Sequence, residues 1–398
     1  MEEGTNIIKN EPVFRNKNLY IIFGVTLISV MGVASIAPAF PEIISYFGIS
    51  VQQVGWLIAA FTLPGVFLPP VTGVLADRLG RKLILVPSLF LFGIAGLGCA
   101  FVHGFHWLLV LRFIQGVGAS SLASINVTLI GDIFSGEKRV AAMGYNSSVL
   151  SIGTASYPAI GGLIATLGWQ YIFFLPVLAI PLGLWVIYGL NNPEPKNVQN
   201  LKSYFSNVWR AINRRIVWGL LLSNILVFVV LYGAYLTYFP LLMKIRFGSE
   251  TLVIGGMMSV MPLVTAVTSS QLPRINRLLT PRQQLLTSAV FYFLSMMLLG
   301  FAIHRGLVIF AVVLFGLGHG VVIPSIQNIL VNLASIQERA AFMSLNSMVL
   351  RAGQTIGPLL IGIFYALGGI SWSFFAGAGT TVAMFLLVVT MVKTEAKG

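Results

Sequence analysis

Charge is what this sequence has least of. Of its 398 residues only 9% are Asp, Glu, Lys or Arg, 57% are apolar, and the mean hydropathy is +0.90. A soluble domain carries about 25% charged residues, so this chain could not cover its own surface in water. Cysteine is almost missing: Cys99 stands alone in an apolar run, which excludes a disulfide framework and a thiolate metal site. Alternating ten-residue segments are absent, which excludes a membrane β-barrel. There is no phosphate-binding loop, so ATP is not expected to drive whatever the chain does. No nucleophile stands beside a recognisable partner, so no enzyme is expected. His103 and His106 of "HGFH" lack a third ligand, so no metal and no other cofactor is expected. The opening "MEEGTNIIKNEPVFRNKN" is polar and mixed in charge, unlike a signal peptide.

What is present is a series of apolar runs of about 20 residues, the length that spans a bilayer as a helix. They predict an all-α polytopic membrane protein with twelve transmembrane helices over 19–39, 53–72, 83–102, 107–130, 140–166, 170–190, 215–240, 252–272, 283–303, 306–332, 340–366 and 371–392. The domains expected are an N-terminal segment 1–18, a six-helix bundle 19–190, a polar linker 191–213, a second bundle 214–392 and a tail 393–398. The net charge of +13 does not imply nucleic acid, because the basic residues flank apolar runs and form no stripe. With the N-terminus inside, 19 of the 24 Lys and Arg residues fall in cytoplasmic segments and only Lys244, Arg246 and Arg305 fall outside. That asymmetry predicts a multi-pass protein with both termini cytoplasmic; a prokaryotic cell membrane is the expected setting.

The two halves are copies. Displaced by 200 residues, "SGEKRVAAMGYNSSVLSIGTASYPAIGGLIATLG" from Ser135 overlies "SIQERAAFMSLNSMVLRAGQTIGPLLIGIFYALG" from Ser335 without a gap, pairing Asn146 with Asn346, Gly153 with Gly353, Pro158 with Pro358 and Gly162 with Gly362. Six spans per half make the copies parallel repeats, which places a substrate site between them near the midplane.

Three motifs then resemble the major facilitator superfamily over nearly the whole chain, and within it the twelve-helix drug:proton antiporter branch. "GVLADRLGRKLIL" carries Gly73, Leu75, Asp77, Arg78, Gly80, Arg81 and Lys82 where the superfamily's loop between helices 2 and 3 has them. "LRFIQGVGA", with Arg112, Gln115, Gly116 and Gly118, resembles the helix-4 motif. "GYNSSVLSIGTASYPAIGG", with Gly144, Gly153, Pro158, Gly161 and Gly162, resembles the antiporter motif of helix 5, although Tyr157 stands where Gly is usual. Gly73 and Gly80 are expected to let the chain turn sharply, and Arg78, Arg81 and Lys82 to hold the turn at the anionic cytoplasmic face. The resemblance implies that Asp77 latches onto the N-terminal end of helix 11 near Arg339 to Ala341 when the cytoplasmic side is closed, with Asp132 as partner of Arg78 or Arg81. In the second half Arg277 replaces the acid, so the latch is expected on one side only.

Ionisable groups inside spans are functional candidates because leaving them unpaired is expensive. Arg112, Gln115 and Asn126 share a face of helix 4 that the motif match directs to a central cavity. Arg351, in mid-helix 11 with Gln354 one turn on, lies opposite the packing face of Gly353 and Gly357, and replaces neutral Ser151 of the first half. His319 is the one His inside a span and could carry a coupling proton. Asn224, Phe228, Tyr235 and Tyr238 recur on roughly one face of helix 7 and suit apolar or aromatic cargo. Every acid stands at or beyond a membrane boundary, leaving Glu42, Asp132 or His319 for coupling. The function expected is proton-linked efflux of small amphipathic drugs or metabolites by a monomer that rocks two bundles in the lipid bilayer. The alternatives are export or exchange of an anionic metabolite or lipid headgroup read by Arg112 and Arg351, or a non-transporting membrane sensor.

Overall fold

The computed structural model describes residues 13–190, 214–333 and 339–392. The expected linker 191–213, the tail 393–398 and most of the N-terminal segment lie outside the described residues. Every described span is helical: α1 (Lys17–Phe47), α2 (Val51–Leu79), α3 (Arg81–Cys99), α4 (Phe105–Ile133), α5 (Gly136–Ala165), α6 (Trp169–Gly189), α7 (Arg215–Phe247), α8 (Thr251–Ser270), α9 (Pro281–Gly300) and α10 (Arg305–Leu333). A final run, Arg339–Met391, breaks where Gly369 takes φ 73°, dividing it into α11 (339–367) and α12 (370–391). In a bilayer, helices satisfy all backbone groups internally.

Local chemistry sets the breaks. Gly48 and Gly248, one repeat apart, end α1 and α7 with φ of 60° and 59°, a left-handed stop that glycine adopts without a Cβ clash. Ser50 with Gln53 and Thr280 with Gln283 form capping boxes at the starts of α2 and α9, each satisfying two orphan donors. Within α7, Val229–Tyr238 is π-helical, a form found at functional sites.

Contacts sort the helices into two bundles, α1–α6 and α7–α12. The bundles meet chiefly where α2 packs on α11 and α5 on α8. Both described chain ends lie on one face of the molecule, here the terminal face; the opposite one is the far face.

Two expectations are corrected. Gly73 makes no turn: α2 continues to Leu79, and the reversal is confined to Gly80 at φ 100°. Gly144 is no packing contact, since a Cβ there would meet nothing within 4 Å. It lies in the terminal half of α5, away from the helices that the other small residues touch.

Candidate functional site

At the terminal face, Gly80 turns the chain and starts α3 at Arg81, whose side chain swings back into the bundle and is buried. Arg81 donates to Asp77 one turn earlier and through Nε to Asp132 of α4 at 3.1 Å. One cation thus ties the ends of α2, α3 and α4 together. Arg78 is exposed and Lys82 half-buried, so neither competes for the acids. The side chains of Arg339 to Ala341, the expected landing site of Asp77, lie outside those described.

Arg112, Gln115 and Asn126 do share a face, and the structure turns it into the first bundle, where all three are buried. Arg112 donates to Gln115 Oε1 at 2.8 Å and to the Leu57 carbonyl at 3.5 Å, and lies 4.3 Å from the Phe61 ring centroid. Carbonyl, amide and ring supply partial negative charge without an acid. Asn126 donates to the Ile22 carbonyl at 3.1 Å and to Thr26, which donates to Asn146 of α5. The second bundle repeats this tie: Asn224 of α7 donates to Asn346 of α11 at 2.8 Å. These asparagines bind helices together and do not face the space between bundles.

The second bundle supplies the polar groups nearest its neighbour. Arg351 donates to Gln354 at 3.0 Å, Tyr232 lies against both, and a Cβ built on Gly65 of α2 would sit 3.0 Å from Arg351 Cδ. Among the described residues no carboxylate is within ion-pair distance of Arg351 or Arg112. Beside this group, His319 Nδ1 meets the Tyr292 hydroxyl at 2.6 Å, its ring stacks on Phe315, and Phe228 stands edge-on to it and tilted to Tyr232. Tyr232, His319 and Arg351 are all half-buried.

Helix 7 is where periodicity misleads. Tyr235 is 1% exposed, stacks on Phe315 and donates to the Met258 carbonyl, while Tyr238 stacks on Tyr365. Tyr232, absent from the expected set, takes the place beside Arg351. The cause is the π segment, whose i→i+5 bonds rotate successive side chains by less than an α-helix does; Thr237 Oγ1 bonding the Tyr232 carbonyl five residues back marks it.

Among the described residues, the side-chain crossings between the bundles lie at mid-helix or in the far halves. The Thr62 and Thr355 hydroxyls meet at 2.8 Å and the Ala159 amide donates to Ser259 Oγ at 3.1 Å. Pro358 packs on Gly55, Gly162 on Thr251 and Gly255, and the Pro158 carbonyl on Gly255. Gly153 touches Leu27 and Val30 of its own bundle, and Gly353 and Gly357 touch α7 at Ile225 and Val229. This is a two-body structure closed at its far face.

The sequence model of the Major Facilitator Superfamily matches residues 22–305 and 279–398. The chain is 25% identical over 394 residues to the quinolone resistance protein NorA of Staphylococcus aureus, covering 96% of this chain and 98% of the relative. It is 27% identical over 411 residues to multidrug resistance protein 2 of Bacillus subtilis, covering 100% and 98%. The solved nucleoside transporter NupG superposes with a TM-score of 0.80 at 14% identity, covering 95% of this chain and all of that one, a likeness of fold.

Proposed function

The chain belongs to the major facilitator superfamily, and on that premise we propose that it is a proton-linked exporter of small amphipathic drugs or metabolites, working by alternating access in a prokaryotic cell membrane. The terminal face is then cytoplasmic and the structure is the inward-facing state. The observation that supports this reading is that, among the described residues, the close inter-bundle contacts lie in the middle and far halves of α2, α5, α8 and α11. Two rigid bodies touching at one end can rock to touch at the other. The similarity to resistance proteins supports the export direction and drug-like cargo. His319, held by Tyr292 and half-buried beside Phe228, is the titratable group that we assign to coupling.

A second reading rests on Arg351. A cation in mid-membrane with no acid beside it among the described residues favours cargo that brings a negative or strongly polar group. Proteoliposomes carrying an imposed pH gradient separate the two. Release of protons by cationic or neutral compounds, in wild type and Arg351→Ala alike, supports the drug antiporter. A response to anions alone, lost in Arg351→Ala, replaces it with the anion reading. No proton movement with any compound overturns proton linkage.

A further inference from the structure

On the far face, the ends of α7 and α9 and the start of α12 enclose a recess of about 490 Å³, within the ~300–1,000 Å³ of small-ligand sites. Its polar end is Arg246, which donates to the carbonyls of Ala302 at 2.8 Å and Gly300 at 3.0 Å, and to Ser371 Oγ. These three bonds use three of a guanidinium's five N–H donors. Nε–H and one Nη1–H are left, and the Ser371 hydroxyl, accepting from Arg246, has its own proton to give. No carboxylate among the described residues pairs with Arg246. Lys244 lies toward Glu42, whereas Arg305 is drawn to the same corner by its bond to the Phe247 carbonyl at 3.1 Å. The side of the protein poorest in basic residues therefore gathers two of its three at one recess.

The rest of the recess is oily and faces outward. Phe301 is 60% and Ile303 83% exposed, the Phe301 and Phe375 rings pair at 4.9 Å, and neighbouring Trp372 is half exposed. α7 has 33 residues and is about 50 Å long at ~1.5 Å per residue. Its last turn thus clears the ~30 Å hydrocarbon core and lies at headgroup level.

We infer that this recess binds the phosphate of an anionic phospholipid of the far leaflet. Arg246 and Ser371 hold the phosphate oxygens, and Phe301, Ile303 and Phe375 lie along the glycerol and the first methylenes. Nε–H and the free Nη1–H lie on different edges of the guanidinium, so one free N–H and the unpaired charge, with the Ser371 hydroxyl, meet the phosphate, and the apolar rim favours a lipid over a free ion.

The test is thermal unfolding of the purified full chain in nonionic detergent, followed by Trp fluorescence, with phosphatidylglycerol or phosphatidylcholine added. Phosphatidylglycerol is expected to raise the midpoint at concentrations about tenfold below those at which phosphatidylcholine acts. Arg246→Gln keeps N–H donors for the two carbonyls but removes the charge, and is expected to erase that preference. Ser371→Ala, which leaves Arg246 in place, is expected to reduce it severalfold and serves if Arg246→Gln does not fold. Equal action of the two lipids, or a preference intact in both variants, overturns the site. Protection by millimolar inorganic phosphate equal to that by the lipid overturns the lipid assignment.

Discussion

The hydroxyls of Thr62 and Thr355 meet at 2.8 Å across the boundary between the two bundles, with Thr62 also against the Ile58 carbonyl and Thr355 against that of Arg351. Two hydroxyl protons serve three contacts, so one of the pair gives up its own-helix carbonyl to donate across, and the far-closed state gains one inter-bundle bond in exchange for an intrahelical one. Hydrogen bonds between membrane helices average about 0.6 kcal/mol and reach ~1.7 kcal/mol. Thr62→Val, which keeps the volume, should shift the population away from the far-closed state roughly three- to eighteenfold. Spin-label distances across the far ends of α2 and α11 measure this, and an unchanged distribution would leave the bond without a conformational role.

The crossing of α5 and α8 should be less forgiving. A Cβ on Gly162 would overlap the Thr251 carbonyl oxygen and lie 3.0 Å from Gly255 Cα, and backbone cannot step aside as a side chain can. Overpacking of this kind costs about 1–3 kcal/mol, and here the cost falls on one state only. Gly162→Ala should express normally, lose most transport and dwell far-open. With Cys99 removed, a cysteine at Gln52, which lies near Gly362 at the far boundary, should then label faster with an impermeant maleimide.

Much of this architecture was legible because the bilayer imposes it. Spans of fixed length, a reversal at Gly80 and a 200-residue repeat are one-dimensional facts, and Gly48 and Gly248 carry the repeat into the backbone. Helical spacing also put Arg112, Gln115 and Asn126 on one face. It could not say which neighbour that face meets, because the carbonyl of Leu57 and the ring of Phe61 that satisfy Arg112 leave no mark in a residue pattern. Tyr232 is hidden for a different reason: an α-helical period does not describe a π-helical segment, and nothing in "VVLYGAYLTY" announces the change. Gly73 misleads because a glycine in a motif suggests a turn, whereas its helix continues to Leu79.

Asp77 and Asp132 share Arg81, which is 7% exposed. Removing one acid leaves the cation with the other; removing both leaves a buried charge with neither. Asp77→Asn and Asp132→Asn should each cost about 1.5–3 kcal/mol, and the double variant should exceed the sum, the signature of groups in one network. Unfolding midpoints of the solubilised variants give the cycle, and strict additivity would mean that Arg81 finds another partner. Asp77→Asn should in addition lower transport at unchanged surface expression, because the same acid is proposed to hold the opposite, cytoplasm-closed state.

Tyr232 and Tyr235 are three residues apart and should fail in different ways. Tyr232 is half-buried against Gln354 and Arg351, so Tyr232→Phe removes a polar contact at the surface that cargo would meet. Tyr235 is buried and its hydroxyl serves the Met258 carbonyl at 3.3 Å. Tyr235→Phe therefore removes a bond internal to the second bundle, worth about 0.5–1.5 kcal/mol. Tyr232→Phe is expected to change the apparent affinity for transported compounds severalfold while the unfolding midpoint stays put; Tyr235→Phe is expected to lower the midpoint while affinity stays put. In a purely α-helical α7, at ~100° per residue, Tyr232 and Tyr235 would stand about 40° and 20° to either side of Phe228, and the two variants would behave alike. Measuring both quantities on both variants thus reads the register of the π segment from function.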